Sequence, residues 1–406
     1  MPLDRWLADG DQTHIRWSAR VVGTELSSHQ RLRARIAIEV DGNDLVKRKG
    51  KGYLIMAVQL NDSQNRPYQI RKAIDLSKID DDAGKINLIY TQDALVTPDS
   101  YRVTLGILDS ATGEHSVLQR MLNVSPLKND PLPLAWRDLP PVELLQDLDA
   151  PDNLFLPYAA GRLNLPLATH HEVRVELVIN GSPSPSAPTA FGPSSGPRTP
   201  QISTRTRSDL IPALKVLSQI DPANGVLNVS MLDITRRQVV FEQKGVRDLD
   251  WPTLRKAFVA ADPNVIDVHS LEKRGQNAQF FVEQVAERIA EDPARPALPA
   301  LIVLSGPMSL ISGEDLHPIK ASSKPAGGIY YIRYHSVSPR SLSTPLEEPR
   351  RRTRGFSPVP TLPVSTEPLD SLEKTLKPLQ PQVFDVYTPE QFRKALATVI
   401  SEISRL

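Results

Sequence analysis

The chain contains no cysteine, which rules out disulfides, thiolate zinc sites and cysteine nucleophiles, and which leaves the redox compartment open. Net charge is almost absent as well. With 48 Lys and Arg against 47 Asp and Glu the formal charge is +1, so no global field draws the chain to nucleic acid or an anionic membrane. Long hydrophobic runs are missing too: the most apolar stretch, Ala297–Val303, is too short to span a bilayer. The opening MPLDRWLADGDQTH has neither the basic start nor the apolar core of a signal peptide. The expectation is a soluble chain without a transmembrane segment.

Proline is plentiful. Of its 37 copies 20 gather at Pro131–Pro151, Pro183–Pro200 and Pro339–Pro381, and such clusters mark boundaries and irregular loops because proline lacks an amide donor and fixes φ. A length of 406 residues exceeds one ordinary core and predicts two domains.

The first part carries the strand period. In RLRARIAIEVD, residues 31–41, Leu32, Ala34, Ile36, Ile38 and Val40 fall on one face, opposite mostly charged positions. Gly52–Leu60, Tyr101–Asp109 and Ser116–Val124 read as further strands, with no strong helix between Ile15 and Val124. Several short strands separated by polar turns predict an immunoglobulin-like β-sandwich at about 10–125, because a half-apolar sheet needs a second one against it. A proline-rich linker then covers 126–164.

From residue 165 the pattern becomes strands alternating with amphipathic helices. Strands are expected at Val173–Asn180, Gly225–Thr235, Arg237–Lys244, Val265–Leu271, Pro299–Ser305, Gly328–His335 and Val383–Val386. Helices are expected at Ser208–Ile220, Trp251–Ala261 and Gln276–Glu291, and after Thr388, where Thr388-Pro389-Glu390-Gln391 spells a capping box. This order predicts a mainly parallel, doubly wound α/β domain over 165–406, with an antiparallel hairpin at one edge and a proline-rich insertion at about 337–382. Ligands of such sheets bind beyond the carboxyl ends of strands.

The residues VRVELVINGSPS (173–184), VLNVSMLDITRRQVVFEQKG (226–245), LDWPTLRKAF (249–258), PALIVLSGP (299–307) and VFDVYTPEQFRKALATVISEI (383–403) together resemble the bacterial von Willebrand factor type A-related proteins. HQRLRARIAIEVDG (29–42) and YRVTLGILDSATGEHS (101–116) look like the β-rich portion that precedes the A-type domain in them. The resemblance implies a metal-ion-dependent adhesion site, in which an aspartate and two serines, a threonine from a second loop and a later aspartate bind Mg²⁺. Mg²⁺ is hard and octahedral, suits carboxylate and hydroxyl oxygens, and keeps a position for an acidic partner.

In this chain Ser182 and Ser184 match the two serines, but Asn180 stands at the aspartate. Ser305-Gly306 stands where the family often has Thr-Asp, and Thr253 lies near the threonine, with Pro252 in its place if the register differs. Both carboxylates are missing, and neutral groups hold a divalent ion weakly, so no resident Mg²⁺ is expected at this degenerate site. Thr253 and Ser305 would form the rim of the ligand-binding edge.

A second resemblance is to flavodoxin-like flavin reductases, in which a Gly-Ser-Pro after the first strand meets the flavin phosphate. That mechanism needs a helix N-terminus directly behind the loop, and prolines from Pro183 to Pro200 block one. The plainest account of the stretch is a strand ending at Asn-Gly and running into a solvated Ser/Pro loop. His171-Glu172 is not a zinc-protease motif, because Val175 occupies the second histidine's place; Asp147, Asp149 and Asp152 fail the calcium-loop spacing at Pro151. The basic runs Lys47–Lys51 and Arg350–Arg354 lack aromatic interleaving and read as solvated charge. The resulting expectation is a non-enzymatic adhesion or protein-binding module with an unidentified protein partner, extracytoplasmic or secreted by resemblance. A flavin-binding or other enzymatic α/β domain is the alternative.

Overall fold

The structure is a computed structural model that describes residues 2–10, 13–50, 52–145, 151–157, 161–182, 184–185, 204–205, 208–261, 274–290, 297–308, 327–335 and 370–406. The chain divides into two compact units, Met1–Asn164 and Leu165–Leu406.

The first unit is built from β1 (Trp17–Leu26), β2 (Leu32–Val40), β3 (Tyr53–Asn61), β4 (Pro67–Asp75), β5 (Leu88–Val96), β6 (Asp99–Asp109), β7 (His115–Val124) and β8 (Val142–Leu145). They form two four-stranded antiparallel sheets, β1-β2-β5-β8 and β4-β3-β6-β7. The alternation read in β2 is the buried face of the first sheet: Leu32, Ala34, Ile36, Ile38 and Val40 are all inaccessible. Met56, Val58, Val103, Leu105 and Ile107 do the same for the second. Two sheets that each bury one face within a single compact unit bury those faces against each other.

Two sequence expectations change here. The segment 126–164 does not merely connect: β8 extends the first sheet beside β5, and Trp136 is buried with its indole N–H donating to the Gln30 carbonyl at 2.7 Å. The apolar pair Val142 and Leu144 supplies a strand between the prolines, which themselves stay out of the ladder. An unforeseen helix, Leu3–Asp9, lies on the outer face of β3 and β6. Gly106 is its seat, since a Cβ there would come within 2.6 Å of Leu3 Cδ2.

The second unit contains β9 (Leu165–Leu167), β10 (Val173–Asn180), the two-residue β11 (Ser184–Pro185) and β12 (Thr204–Arg205), β13 (Ile220–Pro222), β14 (Gly225–Asp233), β15 (Gln238–Gln243), β16 (Leu298–Ser305), β17 (Ile329–Tyr334) and β18 (Gln382–Val386). Its main sheet has six strands in the order β15-β14-β10-β16-β17-β18. All neighbours are parallel except the β14–β15 hairpin at one edge. β10 lies inside the sheet and is buried on both sides, which is why VRVELVIN reads as a nearly continuous apolar run.

Helices cover both faces. Phe281, Val282 and Val285 of the helix Asn277–Ile289 and Leu372 and Leu376 of the helix Ser371–Leu376 pack on Val178, Val303 and Tyr331. Tyr334, of opposite parity to Tyr331, meets Phe392 of the helix Pro389–Ile403 edge-on at 6.0 Å. The capping box of that last helix is present as its sequence spells it.

The helix expected at Ser208–Ile220 is shorter, a 3-10 turn at Ser208–Leu210 followed by Ile211–Leu217, because Ile220 leaves to pair with Leu165 in β9. The proline-rich insertion ends earlier than 382: Asp370 caps the helix Ser371–Leu376, and an αL residue at Gln380 leads into β18. The strand expected at Val265–Leu271 and the basic run Arg350–Arg354 lie outside the described residues.

Candidate functional site

Parallel strands bring their carboxyl ends to one edge, and here that edge gathers Asn180 from β10, Ser305 from β16 and the residues just beyond them. Asn180, Ser182 and Ser305 are 1%, 0% and 0% exposed, so their polar atoms must be satisfied internally. The Ser182 backbone N–H donates to Asn180 Oδ1 at 3.0 Å. That bond fixes the orientation of the amide, since only its oxygen can accept from an N–H. Asn180 Nδ2 therefore faces the other way, donating to Ser305 Oγ at 2.9 Å and approaching Met308 Sδ at 3.3 Å. Ser305 Oγ donates onward to the Gly306 carbonyl at 2.7 Å, and Ser182 Oγ accepts the Ile234 N–H at 2.7 Å.

This constellation does not suit Mg²⁺. A cation between residues 180, 182 and 305 needs oxygens turned inward, whereas the side chain of Asn180 presents N–H groups to Ser305, and Ser182 Oγ receives a backbone proton. The neighbouring carboxylate, Asp233 at the end of β14, is turned into its own hairpin: it accepts from Thr235 Oγ1 at 2.6 Å and from the Arg236 N–H at 3.0 Å. Among the described residues no group of three or more His, Asp or Glu is arranged to hold a metal ion.

The other residues singled out from sequence fare differently. Thr253 is exposed and belongs to a helix cap, its hydroxyl donating to Asp250 Oδ2 at 2.7 Å and its N–H to Asp250 Oδ1 at 3.1 Å. These two bonds hold the Asp250 carboxyl below the usual range. Ser184 pairs with Arg205 through its backbone, and its side chain lies outside the described part of the structure.

A second cluster, not anticipated from sequence, adjoins the first through Met308. Its N–H donates to Asp370 Oδ1 at 3.3 Å, and its carbonyl accepts from the Ser371 N–H at 2.8 Å. Asp370 is buried and also accepts from Tyr331 OH at 2.8 Å, the Leu372 N–H at 3.1 Å and Arg333 Nη1 at 3.4 Å. Arg333 reaches Glu373 at 2.7 Å and grips Asp385 in bidentate fashion at 2.5 and 2.8 Å. The Asp385 hydrogen bond raises the affinity of Arg333 for its proton, and the same bond lowers the pKa of Asp385. His335 Nε2 lies 2.9 Å from Asp385 Oδ1, and its ring stacks on Tyr387 with centroids 3.9 Å apart.

Two signals for this cluster were present in the sequence. Asp370-Ser-Leu-Glu373 has the spacing of an N-cap with an acidic N3, and aligning β17 with β18 places Arg333 opposite Asp385. The capping spacing is local, whereas the Arg333–Asp385 pairing is visible only once β17 and β18 are aligned.

No protein-family model and no curated protein sequence matches the chain. Among solved structures it is similar to the X-ray structure of Northeast Structural Genomics Consortium target SoR45, at 15% identity and a TM-score of 0.18 over 29% of this chain and 95% of that one. It is similar also to the putative ApaA protein from Bordetella pertussis, at 12% identity and a TM-score of 0.17 over 28% of this chain and 94% of that one. Likenesses this weak carry no argument about fold or function. Among the described residues no helix is long and apolar enough to cross a membrane.

Proposed function

We propose that the chain is a non-enzymatic protein-binding or adhesion module, in which an immunoglobulin-like sandwich precedes a von Willebrand A-like domain that meets its protein partner at the carboxyl edge of the sheet. The observation that carries this reading is the state of that edge: the polar side chains at its centre are buried and engaged with one another. Groups committed in this way position backbone and neighbouring loops; they are not poised to attack or to transfer a proton. What remains for recognition is the surface around them, including Glu373, Asp385 and Tyr387, which are 46%, 40% and 44% exposed.

Connectivity supports the same edge. The chain leaves β10, β16 and β17 at this edge, after Asn180, Ser305 and Tyr334. An extracytoplasmic location, drawn from the family resemblance, belongs to this proposal.

The test is affinity capture with the full chain beside a Tyr387→Asp, Glu373→Arg variant that retains the wild-type circular dichroism and melting curve. A reproducible partner lost by the variant supports the reading, and capture indifferent to the variant sinks it. Yellow colour, or thermal stabilisation by FMN, would favour the cofactor-binding alternative.

A further inference from the structure

The residues of the carboxyl edge disagree with the cation that the A-type resemblance implies, and the disagreement has a definite form. Asn180 differs from an aspartate by one N–H₂ in place of one oxygen. The Ser182 N–H determines which of its two atoms faces Ser305, and it is the nitrogen. An N–H₂ aimed at Ser305 Oγ places hydrogen where a cation would have to stand, and the Ser182 hydroxyl already accepts the Ile234 N–H. Reversing the amide to present oxygen would set its N–H₂ against the Ser182 N–H and leave two buried donors facing each other.

We propose that Asn180, Ser182, Ser305 and Met308 form a hydrogen-bonded lock that does without metal the work a cation would do, so that the edge is held in one arrangement and binds its partner independently of divalent ions. This rests on the reading of the carboxyl edge as the binding surface. Three pieces of backbone are joined by it: the end of β10 through Asn180, the turn after β14 through the Ile234 N–H, and residues 305–308 through Ser305 and Met308. From Met308 the connection continues to Asp370 and Ser371. A cation-dependent edge has a loaded and an unloaded form, whereas this one has its closing donor covalently in place.

The experiment uses the full chain and Mn²⁺ and Mg²⁺ as probes. Electron paramagnetic resonance of free Mn²⁺ is expected to show no binding, and melting temperatures in EDTA and in millimolar MgCl₂ are expected to agree within about 1 °C. Hydrogen exchange over residues 298–308 is expected to be the same with and without either ion. It should quicken equally in EDTA and in Mg²⁺ for Ser305→Ala, which removes the acceptor of the buried amide, and for Asn180→Ala. Capture of partner should survive EDTA.

Mn²⁺ bound by the wild type and released by Ser182→Ala or Ser305→Ala would overturn the proposal. So would unchanged exchange in both Asn180→Ala and Ser305→Ala. If no partner is captured under any condition, the binding-module reading fails while the Mn²⁺ and exchange results still decide whether the lock exists.

Discussion

Replacing Arg333 with Met removes the single cation shared by Asp370, Glu373 and Asp385, and the structure dictates both the size and the pH signature of the damage. Asp370 keeps the Met308 and Leu372 N–H groups and Tyr331 OH, so its buried carboxylate is not orphaned. The loss is therefore smaller than the 3–5 kcal/mol of a fully broken buried pair, and nearer the value of charged hydrogen bonds, about 2–3 kcal/mol. For a unit of this size that lowers the melting temperature by about 4–10 °C. The pH response should change as well. In the wild type the Arg333 hydrogen bond depresses the Asp385 pKa, so that contribution is complete above the unfolded value near 3.9 and is lost as pH falls through the lower folded value. In Arg333→Met the largest cause of that depression is gone while the His335 contact remains, so the acid loss of stability that runs through Asp385 should shrink. Hydrogen exchange of β17 and β18 against pH, with Arg333→Lys as the partial case, reads the effect in the right unit. A variant whose pH slope parallels the wild type would refute the reasoning.

Other expectations are simpler. Thr388→Ala, which removes the acceptor for the Gln391 N–H, should cost about 1 kcal/mol and fray the first turn of the final helix, seen as faster exchange at residues 389–392. Asp44 has its pKa lowered to about 2 by the hydrogen bond from Arg16, so it contributes stability that is complete above about pH 4 and lost as pH falls toward 2. Asp44→Asn should flatten that acid limb in a series of melts. In the first unit Arg31 and Glu143 are a buried ion pair: Arg31→Met alone should cost about 3–5 kcal/mol, and adding Glu143→Leu should restore part of it, which urea unfolding of the two variants would show. Gly106→Val should displace the helix Leu3–Asp9 and quicken its exchange while β6 stays protected.

The sequence disclosed most where one period dominated. β2 and β6 place apolar residues at every second position from Leu32 to Val40 and from Tyr101 to Ile107 because that side faces the core, and β10 is mostly apolar because it is flanked on both edges and covered on both faces. β1 and β4 are edge strands with much of their length exposed, so charged and polar residues break the alternation that marks a buried face. β8 was hidden by composition, since a four-residue strand among prolines looks like a connection until β5 supplies its partner. The helix Leu3–Asp9 depends on a glycine about a hundred residues away, a tertiary fact with no local signature.

At the candidate site the division follows bond distance along the chain. That Asn180 is an amide where the A-type resemblance would put a carboxylate can be read from ELVINGSPSPS, and with it the weakness of any cation there. Which way the amide points is not, because it depends on the Ser182 N–H of a particular turn and on a serine 125 positions later. That orientation converts an incomplete ligand set into a closed one. An asparagine with its oxygen inward would still offer a cation a weak berth; with its nitrogen inward it competes with the cation for the same serine. The contrast between an open set of oxygens and a closed one therefore rests on one backbone hydrogen bond, and Ser182→Pro, which removes that N–H together with the hydroxyl that accepts from Ile234, should loosen residues 305–308 more than Ser182→Ala, which removes the hydroxyl alone.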